Sequence, residues 1–414
     1  SNSPSAGSQR ESAPIDQGGV KATLTVLVEI GDIKVAQGQL ETAHDAYTAS
    51  LDIARKLVGQ DPVSPELALN LSLSLDRIGG VWQAQNKPDA ALDAYIESLE
   101  IRRTHVAKSP GDARWARELS ISLDNVGDVR VSQGLLEDAF DTYTESLEIR
   151  RALVAQNPGN AGWARDLSGS LDNIGHVWRN QGMLDIALDA YAESLEIRRT
   201  LVARSPENVD WTHNLSVSLD NVGYIQRGQG VLDAALDAYT ESLEIRRSLV
   251  AESPGNARLA RQLSMSLDEV GDVRRDQGLL DAALDAYSES LEIRRTLVTA
   301  NPGNAEWTFN LSVNLGGVGL VRRDQGQLDA ALEAFTESLE IRRALIAQSP
   351  ENARWAHAIS VSLVQIAESD PANAADHWTA VVAQMEDMEA NGILSRGDRQ
   401  FLETARRNLV AARE

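Results

Sequence analysis

A glycine recurs along this chain at a fixed step of 48 residues, at Gly31, Gly79, Gly127, Gly175, Gly223, Gly271 and Gly319. A proline keeps the same step from Pro110 through Pro158, Pro206, Pro254 and Pro302 to Pro350, and an aromatic keeps it from Tyr47 to Phe335. No insertion breaks the register. Self-similarity at one long period marks a stack of repeats, in which each unit buries its apolar face only against its neighbours. The 414 residues therefore add units rather than independent domains. The functional question moves from which residues catalyse to which surface binds.

One unit, residues 113–158, shows how the repeat folds. From Trp115 to Ser132, Leu119, Leu123, Val126 and Val129 fall at steps of three and four, which predicts a helix with one apolar stripe. Gln133–Gly134 stops it, with Gly134 in the left-handed cap position. A second helix is predicted from about Leu136 to Gln156, with Ala139, Tyr143, Leu147 and Leu153 inward. Glu137 in its first turn and Arg150–Arg151 toward its end suit the helix dipole, and Glu148 with Arg151 reads as a solvated pair one turn apart. Asn157–Pro158–Gly159–Asn160 closes the unit. Connections this short make the two helices antiparallel neighbours. Glycine inside a helix costs about 1 kcal/mol against alanine. Its return in every unit therefore indicates a steric requirement, read here as Gly127 facing Ala139 across the hairpin.

At this point the unit resembles the tetratricopeptide repeat, whose pattern is W-x2-L-G-x2-Y, then A-x3-F, then P. Leu123, Val126 and Gly127 stand at the W, L and G places, and Ala139 and Tyr143 at the A and F places. Gly134 falls at the family's turn between helices. Arg130 replaces the family's Tyr, Arg151 stands where its proline would fall, and Pro158 comes seven residues later. The excess over the family's length amounts to about two extra turns on each helix, as in the long-helix branch that includes kinesin light chain and nephrocystin repeats. The resemblance covers roughly residues 20–390. It implies an all-α, right-handed α-solenoid, a superhelix of antiparallel hairpins.

The ends differ from the middle. Residues 1–19 are rich in Ser, Pro and Gly and read as a tag remnant followed by a linker. Residues 20–390 read as seven full repeats and a shortened eighth, in which Pro371 arrives early. Residues 391–414 read as a capping helix, with Phe401, Leu402, Ala405 and Leu409 on one side.

The resemblance also implies where a ligand would lie. In the family the first helix of each hairpin lines the concave face, and its positions 2, 5, 9, 12 and 13 touch ligand. Position 5 holds Asp76, Asp124, Asp172, Asp220 and Asp268, and position 6 holds Asn125, Asn173 and Asn221. Position 12 holds Arg179, Arg227, Arg275 and Arg323. Position 9 varies, with His176 and Tyr224 breaking the repetition in the middle. These residues are the candidate groove. An Asp row beside Asn has a second reading, as a hydrogen-bond row between repeats that holds the stack. The family's carboxylate clamp has Lys at position 5, where this chain has Asp, so a clamp of that type is not expected.

Composition narrows the function. A net charge of −22 argues against nucleic acid and favours a basic or mixed-charge protein or peptide, or serves solubility alone. The absence of cysteine excludes thiolate chemistry and disulfides. Aromatics are only 5%, so the core is aliphatic. The six histidines lack metal-site spacing, no glycine-rich phosphate loop or nucleophile elbow occurs, and no apolar run is long enough for a membrane span. The expectation is a non-catalytic scaffold or sensor without cofactor or metal, cytoplasmic, binding a protein or extended peptide in the groove. Two alternatives stand beside it: a regulatory region of a larger enzyme or signalling protein, and a self-assembling structural module.

Overall fold

The computed structural model describes residues 17–414, which hold seventeen α-helices and no strand. The tag-and-linker reading of residues 1–16 lies outside the described residues, and Gln17–Gly19 form the first turn of α1. The chain divides into two compact units. Residues 17–197 contain α1 (Gln17–Ala36), α2 (Leu40–Gln60), α3 (Pro65–Ala84), α4 (Pro88–Lys108), α5 (Ala113–Ser132), α6 (Leu136–Gln156), α7 (Ala161–Asn180) and most of α8 (Leu184–Arg204). Residues 198–414 contain the end of α8, then α9 (Val209–Gly228), α10 (Leu232–Glu252), α11 (Ala257–Asp276), α12 (Leu280–Ala300), α13 (Ala305–Asp324), α14 (Leu328–Ile346), α15 (Ala353–Ser369), α16 (Ala374–Ala390) and α17 (Arg396–Arg413). Within each unit successive helices pack side by side, which is the solenoid pattern. Odd-numbered helices through α15 are the first (A) helices of hairpins and even-numbered ones the second (B).

The local signals act as the sequence predicts. Gly134 takes φ +78°, and the N–H of Leu135 donates to Arg130 O at 2.8 Å, closing the A helix with a left-handed cap. In the second hairpin Asn86 adopts this conformation at φ +57° in place of glycine. The turn after each B helix ends on a cap for the next A helix. Asn160 accepts the N–H of Trp163 and Asp112 accepts those of Arg114 and Trp115, each satisfying a backbone donor that the first turn leaves unpaired.

The recurrent glycine has a different partner from the one expected. A Cβ on Gly175 would sit 2.6 Å from the Tyr191 ring, and one on Gly79 would sit 2.7 Å from the Tyr95 ring. The aromatic of the B helix lies flat on the A helix, so the glycine makes room for that ring rather than for Ala139. The ring and the aliphatic stripe of the next A helix then form one core per interface: Ala91, Tyr95 and Leu99 of α4 against Leu119, Leu123, Val126 and Val129 of α5. Each leucine or valine in such a core contributes about 1.5–3 kcal/mol through burial.

At the C-terminal end, Pro371 lacks the N–H that would continue α15, and a short 3-10 turn leads into α16. Trp378, Val381 and Met385 of α16 are covered by Leu402 and Ala405 of α17, with Phe401 and Leu409 packed beside them. Ser395 and Asp398 form a capping box that starts α17.

Candidate functional site

The outer face of the A helices is built on an arginine that sequence reasoning placed elsewhere. Arg150 of α6 is buried, not solvated at a helix end. Its Nε donates to Ser120 Oγ at 3.0 Å, and one terminal nitrogen donates to Asp166 O and Ser170 Oγ, both at 2.8 Å. The other terminal nitrogen meets Asp124 at 2.6 Å. One guanidinium thus ties α6 to α5 and α7. Arg102 does the same with Ser72, Ser122 and Asp76, and Arg246 with Ser266 and Asp220. Arg294 pairs with Asp268, and Arg198 donates to Asn214 O and Ser218 Oγ.

At position 5, Asp76, Asp124, Asp220 and Asp268 thus each pair with a buried arginine of a neighbouring B helix, the arrangement of the second reading, and Asp172 in the same register is buried too. Burial pushes the Asp124 carboxyl up to about 6, against the pull of Arg150. The signal in the sequence was present: Arg150 follows Tyr143 by seven residues and Ala139 by eleven, which puts it on the apolar stripe.

The row breaks in the last full hairpin. Gly316 occupies the position-5 place in α13, so Arg342 of α14 is held by Ser312, Ser362 and Ala358 O where its counterparts meet an aspartate. Burial pushes its guanidinium down to about 10. At position 6, Asn125, Asn173 and Asn221 are half-buried on the inner flank of the row. Glu269 takes that place in α11, beside Asp220. Burial first, and the Asp220 carboxylate next, hold its carboxyl well above the usual range.

Position 9 belongs mostly to the hairpin's own tyrosine. Tyr47 donates to Asp32 and Tyr143 to Asp128, each at 2.5 Å, and Tyr287 donates to Asp272. His176 is engaged in the same way, its Nδ1 2.7 Å from Tyr191 Oη. Tyr224 departs from the pattern and is 55% exposed.

Position 12 is a ladder of ion pairs between successive A helices. Arg227 meets Asp272 and Asp276 at 2.6 Å, Arg275 meets Asp324 at 2.6 Å, and Arg323 meets Glu368 at 2.7 Å. Arg179 is half-buried in this register. The expected pair of opposite-sign rows is thus largely neutralised within the molecule. A second ladder joins the B helices, with Arg151 on Glu193 at 2.6 Å rather than on Glu148, and Arg247 on Glu289.

Beside charged residues such as Arg258 and Asp276, the A helices expose some apolar side chains. Position 2 carries Leu73 and Ile121 in the first unit, where Thr25 and Gly169 interrupt the row at either end, and Val217, Met265, Val313 and Val361 in the second. Leu73, Met265 and Val313 are 42, 39 and 44% exposed, and the other apolar ones are half-buried. Sequence reasoning missed this row, because an apolar residue three before the aspartate reads as an extension of the core stripe. Among the described residues no group of three or more acidic or histidine side chains could hold a metal ion, and no helix is long and apolar enough to cross a membrane.

The sequence model of the tetratricopeptide repeat matches residues 72–110 and 167–207. No curated protein matches the chain. Among solved structures the chain is similar to the apo form of RapI, at 14% identity over 95% of this chain and 97% of that one, with a TM-score of 0.58. It is also similar to BtubC from P. vanneervenii, at 19% identity over 61% and 90% of the two chains, TM-score 0.48. A third is a putative kinesin light chain of Podosopora anserina with nearly identical TPR-like repeats, at 12% identity over 56% and 98%, TM-score 0.40. The matched segments share their 48-residue register, glycine, aromatic and buried arginine with the hairpins around them, and the chain is a tetratricopeptide-repeat protein.

Proposed function

We propose that this array is a non-catalytic interaction scaffold that holds an extended protein segment along the outer face of its A helices. The observation that carries the reading is the exposed apolar row at position 2. Isolated apolar side chains on a surface need no explanation, but a row repeated in register on successive helices does. A segment laid across it would set alternate apolar side chains against Met265 and Val313, with its polar groups toward the Arg275–Asp324 ladder. Tyr224, an exposed aromatic on the same helices, has the size and amphipathic character of an anchor residue. The net charge of −22 favours a segment with basic flanks and speeds its encounter.

The test is a titration of a partner isolated on the intact array, against wild type and a Met265→Glu/Val313→Glu variant. Both side chains are exposed, so helicity and thermal midpoint should hold while affinity falls at least about tenfold. Equal affinity with equal helicity would remove this face as the binding surface.

A further inference from the structure

In the second unit the row of buried arginines has one member whose acid the sequence omits. Arg246 of α10 and Arg294 of α12 each meet a position-5 carboxylate through a terminal nitrogen, that of Asp220 and that of Asp268. A B-helix serine hydroxyl stands beside each of these carboxylates, Ser242 and Ser290. Asp220 has a further partner in Glu269, at position 6 of the next A helix. The same parts return one repeat later. Arg342 and Ser338 stand on α14, and Gln365 holds position 6 of α15. Position 5 of α13, where the acid would stand, is Gly316.

These parts converge on the place of the omitted side chain. A Cβ on Gly316 would lie 4.0 Å from a terminal nitrogen of Arg342, and 3.8 and 3.9 Å from the oxygen and nitrogen of the Gln365 amide. Arg342 is 5% exposed. Its Nε and one terminal nitrogen are taken up by Ser312 Oγ, Ala358 O and Ser362 Oγ. The terminal nitrogen nearest Gly316 reaches Ser312 O at 3.4 Å, a long contact. Gln365 Oε1 is buried without a hydrogen-bond partner. A buried cation without a counter-charge is unfavourable, so an anion at this place gains more than one at the surface. The place is open to the outer face: in the same register the Asp220 and Asp268 side chains keep 16 and 20% exposure.

We propose that Arg342, Ser338 and Gln365 form a binding site for a single carboxylate group, which enters from the outer face of α13 into the place beside Gly316. Arg342 supplies the charge and the Gln365 amide nitrogen a second donor, with the Ser338 hydroxyl beside them. The cation comes from the B helix, unlike a clamp with lysine at position 5 of the A helix. Acetate has the size of the omitted aspartate side chain, its methyl standing for Cβ. The carboxylate has two possible sources. It belongs either to an acidic residue of a segment lying on Val313, in which case this source rests on the function proposed above, or to a free small acid.

The experiment uses the whole chain with acetate as probe, read by saturation transfer to the acetate methyl protons at constant ionic strength. Saturable transfer is expected with the wild type. It should fall at least about tenfold in Gly316→Asp, whose own carboxylate takes the place, and in Gly316→Leu, which fills it without charge. Helicity is the control, and both residues are better helix formers than glycine. Absent transfer with the wild type, or equal transfer in all three proteins, would overturn the site whether or not a segment binds the outer face. A labelled valine–lysine peptide with one central aspartate, and its asparagine counterpart, separate the two sources. Tighter binding of the aspartate peptide, lost in Gly316→Asp, assigns the carboxylate to a segment. General attraction to a chain of net charge −22 acts in the opposite direction, because the aspartate lowers the peptide's positive charge. Equal binding of the two peptides with the acetate response intact assigns it to a free acid.

Discussion

Two substitutions of the repeat's own consensus show how much a single residue decides. Arg342 is the one buried arginine of its row whose position-5 partner is glycine among the described residues, and its guanidinium is destabilised by burial alone. A Cβ on Gly316 would lie 4.0 Å from its terminal nitrogen, in ordinary contact. Gly316→Asp should therefore supply the missing carboxylate and relieve a helical glycine. The expected gain is about 1–3 kcal/mol from the charge-assisted hydrogen bond, measured as a higher urea midpoint at unchanged slope. A fall in the midpoint would mean that the carboxylate's own desolvation outweighs the pairing.

Glu269 presents the opposite case, a carboxyl added where other repeats carry Asn. It faces Asp220, Asp268 and Arg246. Its folded-state pKa is raised, so its contribution is complete below the usual glutamate range and is lost as pH rises through the folded value. Glu269→Gln removes that loss. The variant should match wild type near pH 4 and become the more stable of the two as pH rises above neutrality, read as the difference between their thermal midpoints. A constant difference across pH would show that Glu269 does not change protonation on folding.

At the scale of the element, much was legible. The B helix expected from about Leu136 to Gln156 has those bounds, and the A helix expected from Trp115 begins two residues earlier, at Ala113. Period, cap glycine and turn cluster are local signals, and helix ends depend on little else. The misread residues share one cause. Arg150 bonds to residues 16 and 20 positions ahead, and Arg227 pairs with residues 45 and 49 ahead. Such partners become neighbours only once hairpins are stacked, so a long polar side chain on the stripe reads as a rim residue. The position-2 row failed in the other direction, its apolar residues being indistinguishable from core by pattern alone.

The last helix gives a prediction at this scale. Deleting residues 396–414 uncovers Trp378, Val381 and Met385, which Leu402 and Ala405 otherwise cover. An apolar end of a repeat stack associates when open. The truncated chain should therefore elute as oligomers in concentration-dependent light scattering. A truncated chain that stays monomeric with an unchanged midpoint would show that α17 is not a cap.

At the scale of the molecule, each unit separates two tasks on the same helices. Buried arginines and rings on the B helices hold neighbouring A helices together, and in the second unit the A helices leave one apolar row outside that network. The four methionines allow this division to be measured directly. Met265 lies on the proposed binding row at 39% exposure, Met183 lies on a hairpin turn at 47% exposure, and Met385 and Met388 are buried. Methionine oxidation follows exposure. With peroxide, and mass spectrometry as readout, the free array should oxidise at Met265 and Met183 and spare the other two. With its isolated partner bound at saturation, the account predicts that Met265 becomes protected while Met183 oxidises as before. Protection of Met183 with Met265 still reactive would place the partner on the hairpin turns and contradict the account.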